Sequence, residues 1–346
     1  MALKADVNKL MGGDLGNWLD DQQTMRAEAK KKAHSRWTTG SAILLPVLAF
    51  LWFGPNWDGS LKFFLSIFGG GGVWMWGYQP IQKAKREIKI GINAAIANDL
   101  GLNYDHDLEP GHEFELAKTF ELLPSYQRAR FEDHWYGELE GHEFGLYEAH
   151  LEVRRGSGKN RRWVTVFRGA IIRMEFGRNF HSTTLLQRAG KNKKWLGLGG
   201  RKDSIKLGEK QMGYVDQVHP AFENVFEVWS DDQVEARVLV HPTYVEHLIA
   251  LETTFKGDAV RALFSGGEVI IAVQSGNLFE SGHIDAEGDS ARATETAEHF
   301  ATLGKLALAI NQNERGQAKA EPESIDAATD IAPDPVAVKG FGRKGL

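Results

Sequence analysis

The chain has no cysteine. That excludes disulfides, a thiol nucleophile and thiolate metal sites, and it fits a reducing compartment without requiring one. Other signatures are missing too. GHEF occurs at Gly111–Phe114 and again at Gly141–Phe144, but neither copy continues as HExxH, the spacing that sets two histidines on one helical face for zinc. His142 and His150 share a strand face but stand too far apart to share an ion. There is no GxSxG elbow. LGLGGRKDS is glycine-rich beside basic residues, yet it lacks the Walker spacing and a strand–loop–helix frame. The residues therefore assign no cofactor, no metal and no catalytic group. A formal net charge of −5 points to no nucleic-acid partner. The start, MALKADVNKLMGGDLGNW, lacks the apolar core of a signal peptide.

What is present begins with two apolar runs, WTTGSAILLPVLAFLWF (Trp37–Phe53) and LKFFLSIFGGGGVWMWGY (Leu61–Tyr78), joined by GPNWDGS. Each run, as helix, spans about 25 Å, at the lower edge of a bilayer core. Trp37, Trp52, Trp57, Trp74, Trp76 and Tyr78 sit where an interfacial aromatic belt belongs. Pro46 should bend the first run. Gly69–Gly72 should form a close packing seam, against the first helix or between protomers. Arg26, Lys30, Lys31, Lys32 and Arg36 precede the first run; Lys83, Lys85, Arg86 and Lys89 follow the second. The link holds only Asp58 among charged residues. The positive-inside rule then places both termini in the cytoplasm.

The expected organisation is a basic juxtamembrane arm (1–36), a transmembrane helical hairpin (37–78), a cytoplasmic α+β domain (79–312) and a disordered tail (313–346) rich in Ala, Pro and acid. Ile81–Leu100 reads as a helix continuing the second run, stopped at Gly101. A short helical region covers Phe114–Phe131, interrupted at Pro124. From Trp135 the period changes to two. GLYEAHLEV and RRWVTVFRGAIIRMEF read as strands. VFEVWSDDQVEARVLV reads as a hairpin turning at Asp231-Asp232. Pro242 starts a helix with the stripe Tyr244, Leu248, Leu251 and Phe255. VRALFSGGEVIIAVQ is a hairpin turning at Gly266-Gly267, and a last helix covers Ser290–Asn311. The fold class is thus a membrane hairpin plus a mostly antiparallel sheet with a few helices. A segment from about Leu100 to Gln312 is expected to fold alone.

Four blocks in order, FEDHWYGELEGHEFGLYEAHLE, VFRGAIIRMEFGRNF, FENVFEVWSDDQVEARVLVHPTYVEHLIAL and FSGGEVIIAV followed by LFE, resemble a bacterial domain-of-unknown-function family, numbered 3137. The resemblance covers roughly residues 85 to 312. It implies two membrane helices near the N-terminus, a soluble domain after them and an unassigned activity. It transfers no catalytic residue.

The functional expectation is an inner-membrane protein whose cytoplasmic domain binds a protein partner or anionic lipid headgroups, with homo-oligomers through the hairpin. A membrane-tethered enzyme of unrecognised type and a small transporter or channel subunit stay open as alternatives. The loop Arg188–Lys210 is strongly basic and carries Trp195. Lys193, Lys194, Trp195, Arg201 and Lys202 are its candidate membrane-surface contacts.

Overall fold

The computed structural model of the chain describes residues 7–54, 56–177, 179–190, 202–216, 225–280 and 284–311. After a short α1 (Val7–Met11), α2 runs Asp14–Phe53 and α3 runs Gly59–Asp99, 40 and 41 residues long. At the α-helical rise each spans about 60 Å. The two lie antiparallel, and glycines show how. A Cβ on Gly40 would strike Val73, one on Gly69 would strike Leu44, and one on Gly77 would lie 2.0 Å from the Trp37 ring. Of the four-glycine run only Gly69 serves this seam; nothing faces Gly70, Gly71 or Gly72. Trp37 Nε1 donates to Trp74 O at 3.1 Å, and Arg36 reaches Trp76 O and the Gln79 side chain. Beyond these ties, toward the link, the large apolar side chains point outward. Phe53 is 92% and Phe68 74% exposed, with Ile43, Phe50, Leu61, Phe63 and Trp74 alike in the open.

The other halves of the two helices belong to the core. No helix break falls at residue 36 or at residue 78; α2 and α3 pass through both positions. Leu15, Leu19, Ile88, Ile92 and Ile96 are buried in one cluster with the sheet. Gly91 lets Trp18 lie against α3, since a Cβ there would sit 2.2 Å from its ring. Arg26, 4% exposed, pairs at 2.5 Å with Asp289. The helical stem thus supplies part of the core that the segment Leu100–Gln312, expected to fold alone, would have to do without.

The strands are β1 (Leu102–Asp105), β2 (Arg128–Leu139), β3 (His142–Arg155), β4 (Arg162–Glu175), β5 (Thr184–Arg188), β6 (Ser204–Leu207), β7 (Lys210–Tyr214), β8 (Phe226–Ser230), β9 (Asp258–Ser265) and β10 (Glu268–Gln274). They form one antiparallel sheet in the order β1-β2-β3-β4-β10-β9-β5-β8-β7-β6. The mostly antiparallel α+β architecture is as the sequence implies. One face packs on α3 with α6 (Pro242–Thr254) and α7 (Asp289–Asn311); the other packs on α4 (His112–Thr119) and the segment after it. Burial on both faces explains continuous apolar runs such as Val269–Val273. Gly266 and Gly267, at φ +64° and +86°, make the expected two-residue turn between β9 and β10. At Gly169 a Cβ would lie 2.0 Å from Val273 O, so only glycine lets β10 close on β4 there.

Two segments differ from the sequence reading. The helix expected over Phe114–Phe131 ends at Thr119, and Arg128–Phe131 already belongs to β2. The strand expected after Asp231-Asp232 is instead α5 (Gln233–Leu239). Asp232 does not turn a hairpin; its carboxylate accepts from Val234 N at 2.8 Å and Glu235 N at 3.0 Å as an N-cap. Ala236 and Leu239 are then buried while Val234 and Val238, one turn apart, face water. Asp232→Ala should cost about 1 kcal/mol, read as a lower unfolding midpoint at unchanged denaturant slope.

Candidate functional site

Two polar features stand out, and the first lies where α3 crosses the sheet. A bulge in β2 between Glu132 and Trp135 holds Asp133 at φ +59°, an uncommon conformation for a non-glycine residue. It turns the fully buried carboxylate toward the stem. Asp133 Oδ2 lies 2.6 Å from Lys89 Nζ; Oδ1 accepts the Tyr104 hydroxyl at 2.6 Å and lies 3.3 Å from His106 Nδ1. Lys89 also reaches Glu280 at 3.1 Å and Glu132 at 3.8 Å. One strand over, Glu148 accepts from the backbone N–H groups of Leu278 (2.8 Å) and Phe279 (2.9 Å) through Oε1. Its Oε2 is buried and has no hydrogen-bond partner among the described residues.

This environment shifts protons. Burial, then the neighbouring Asp133, push the Glu148 carboxyl up to about 8. Burial and Asp133 likewise raise the Tyr104 phenol. For Lys89 burial opposes the charge, but Asp133, Glu280 and Glu132 outweigh it and hold the ammonium above its usual value. The arrangement is a clamp joining the stem, three strands and the segment 278–280. A buried pair of this kind adds little net stability when intact but is costly to break.

The second feature is a groove of about 560 Å³ open to solvent between the turn before α4 and the β2–β3 hairpin. Glu109, Glu113, Glu138 and Glu143 make it acidic, and Arg173 closes one side. His134 stacks on Tyr136 at 4.7 Å, and burial lowers its pKa against the opposing pull of Asp105 and Glu113. Glu113 is engaged by Gly111 N at 2.9 Å, and Glu143 by Arg173 at 3.1 Å. Arg173 also holds Glu268, whose other oxygen meets His112 Nε2 at 2.5 Å. Among the described residues no three His, Asp or Glu side chains gather to hold a metal ion.

Of the candidate surface contacts, Lys193, Lys194, Trp195 and Arg201 lie outside the described residues. Lys202 is exposed beside Lys206 at a cleft of about 320 Å³. The ends of that basic stretch are spoken for. Arg188 pairs with Glu252 and stacks over Phe226, and Lys210 binds Asp231 at 2.8 Å and Thr183. After β1, His106 joins the clamp, and Asp107 pairs with Arg86 at 2.6 Å. His241 caps α6 by accepting from Thr243 N. The sequence reading missed Lys89, Asp133 and Glu148. The available signal was Lys89 and Asn93 beside the stripe Ile88, Ile92 and Ile96, which buries two polar residues with the apolar ones.

Fold and site together define an α+β protein built on a long helical hairpin, with an acidic groove and no assembled catalytic set among the described residues. Residues 165–312 match the model of a family described as a protein of unknown function, DUF3137. The blocks quoted from 131–152 lie outside the matched range. No curated protein matches the chain. The crystal structure of the mycobacterial trehalose monomycolate transport factor A, TtfA, aligns over 66% of this chain and 98% of its own, at 10% identity and a TM-score of 0.32. That likeness is too slight to carry an argument.

Proposed function

We propose that this is an integral membrane protein with two helices in a hairpin and both termini in the cytoplasm, whose α+β domain is a binding or scaffold module at the inner membrane surface. The observation that carries it is the outward-facing apolar band on α2 and α3. Large side chains from Ile43 to Phe53 and from Leu61 to Trp76 stand in the open, bounded by Trp37, Trp74, Trp76 and Tyr78. Contiguous exposed apolar surface of that extent marks a membrane or partner interface. Among the described residues one helix, over Leu15–Phe53, is long and apolar enough to cross a membrane by length and composition. The glycine run lowers the hydropathy of α3, while its seam with α2 takes it along the same path.

Reporter fusions test the topology. A fusion after residue 312 should be active in the cytoplasm, and one in Gly54–Ser60 should be active on the far side; a far-side signal from the C-terminal fusion would sink the orientation. The groove favours binding over catalysis, because two of its carboxylates, Glu113 and Glu143, are held by neighbouring groups and among the described residues no nucleophile meets a base within it. A photo-reactive residue at Tyr136 should capture a cellular partner that the same residue at exposed Glu298 does not. Equal capture at both positions would remove the groove from the function.

A further inference from the structure

The β2–β3–β4 ribbon extends past the rest of the sheet. β10 stops against β4 at the pair Gln274–Gly169, and β1 covers β2 only from His134 to Gly137. Beyond them run Arg128–Phe131, Leu151–Arg155 and Arg162–Phe167, closed by the turn at 156–161. On this ribbon Arg130 stands opposite His150, which stands opposite Arg168; Arg154 is opposite Trp163, and Arg155 opposite Arg162. Arg128 takes up Glu152 and stacks over Trp163 at 4.4 Å. Arg130, Arg154, Arg155, Arg161 and Arg162 are exposed and Arg168 half-buried; none of these six forms an ion pair among the described residues, though Arg130 adds to Arg128 in the field on Glu152. Trp163 is 42% exposed among them. His150 bonds Thr165 at 2.8 Å, and burial first, then Arg168, lowers its pKa, which disfavours a charge there beside the arginines.

The ribbon also points in a definite direction. The end of α3 adjoins β1, whose Leu102 pairs with Gly137, and Lys89 lies against Asp133 and Glu132. Descending α3 from Asp99 toward Tyr78 therefore follows β2 from Gly137 toward Arg128. From Lys89 to Tyr78 the helix advances about 16 Å. From Glu148, paired with Glu132 at the level of Lys89, the strand advances about 20 Å to Arg154. The arginine-rich tip thus reaches the level of Trp74, Trp76 and Tyr78, where the apolar band begins.

We propose that this end of the β2–β3–β4 ribbon docks on the anionic headgroups of the membrane that holds the hairpin, with Trp163 at the interface. The inference rests on the membrane reading above. Unpaired arginines suit phosphate oxygens, and a tryptophan beside them suits the headgroup level. The hairpin keeps the two surfaces together, so a modest attraction is enough for steady contact. Nucleic acid has the same charge, but among the described residues nothing else gathers toward it, whereas the tip reaches the level at which the apolar band begins.

The absence of cysteine permits single-site labels. The full chain carrying Ser157→Cys, labelled with a fluorophore, is placed in nanodiscs of phosphatidylcholine alone or rich in phosphatidylglycerol. Val47→Cys, on the exposed band of α2, reports the hairpin. On anionic discs, quenching at position 157 by neutral acrylamide should fall several-fold and recover in high salt. Each arginine near an anionic leaflet contributes about a fivefold factor. Arg154→Gln, Arg155→Gln, Arg161→Gln and Arg162→Gln together should therefore restore full quenching, with the Val47 label still shielded. Equal quenching at 157 on both lipids, with Val47 shielded, overturns the docking surface and leaves the hairpin standing. A freely quenched Val47 label overturns the membrane reading and this proposal together. Stronger shielding of 157 by single-stranded RNA on phosphatidylcholine than by phosphatidylglycerol would reassign the surface to nucleic acid.

Discussion

A chain that begins at Leu100 is expected to lose its cooperative melt. It would lack Leu15, Leu19, Ile88, Ile92 and Ile96, all buried in the main cluster. Removing one buried Leu or Ile side chain typically costs about 2–5 kcal/mol, so five of them, about 10–25 kcal/mol, match or exceed the roughly 5–15 kcal/mol that holds a domain together. Two buried carboxylates would also lose their cations, Asp133 without Lys89 and Asp289 without Arg26. Each such loss adds about 3–5 kcal/mol. The control keeps the stem and removes only the apolar band. Arg36 Nη1 lies 3.2 Å from the Gln79 side chain, so a short flexible link from residue 36 to residue 79 should span the cut. That shortened chain should be soluble and melt cooperatively by circular dichroism. A cooperative melt from the Leu100 chain at a similar midpoint would show that the stem is dispensable.

The stem shows where sequence reasoning ends. The apolar runs at Trp37–Phe53 and Leu61–Tyr78 announced two helices, and the stripe Ile88, Ile92 and Ile96 announced their continuation, because helical period is a local property. Gly266-Gly267, Pro242 and Gly101 placed turns and ends for the same reason. Asp232 misled because Val234, Ala236, Val238 and Val240 alternate as a strand would, and a seven-residue helix is too short for its period to outweigh that. Leu15 and Leu19 sit in a polar stretch whose partners are far away in sequence. The clamp was hidden more deeply. Lys89, Asp133 and Glu148 come from a helix, a bulge and a strand, and only the tertiary fold brings them together. The arginine ribbon was half legible, since Arg154-Arg155 and Arg161-Arg162 flank a visible loop. Their lack of acidic partners, and the direction in which they point, could be read only from the packed sheet.

Glu148→Gln should protect the folded state in alkali. The Glu148 carboxyl rises from 4.5 to about 8, through burial first and then Asp133, while Lys89 and the Leu278 and Phe279 N–H groups pull the other way. Below pH 4.5 the proton is bound in both folded and unfolded chains, and the shift contributes nothing. Between 4.5 and about 8 the unfolded chain releases it while the folded chain retains it, so folding loses stability as pH rises. At about 1.4 kcal/mol per pH unit, the loss approaches on the order of 5 kcal/mol and levels off above pH 8. Glutamine cannot ionise. Its Oε1 can still accept from Leu278 and Phe279, and its amide replaces an Oε2 that has no partner already. Lys89 and Tyr104, which face the site, titrate above this window and keep their forms through it. His299, held down to about 4 by burial, weakens both chains alike as pH falls from 6.5 toward 4, so it cancels in the difference. The detergent-solubilised full chain and its Glu148→Gln variant should therefore melt at nearly the same temperature at pH 5. By pH 8.5 the variant should lead by several degrees, since each kcal/mol moves a protein of this size by about 2–4 °C. A gap that stays constant from pH 5 to pH 8.5 would mean that Glu148 ionises at its ordinary pH inside the clamp.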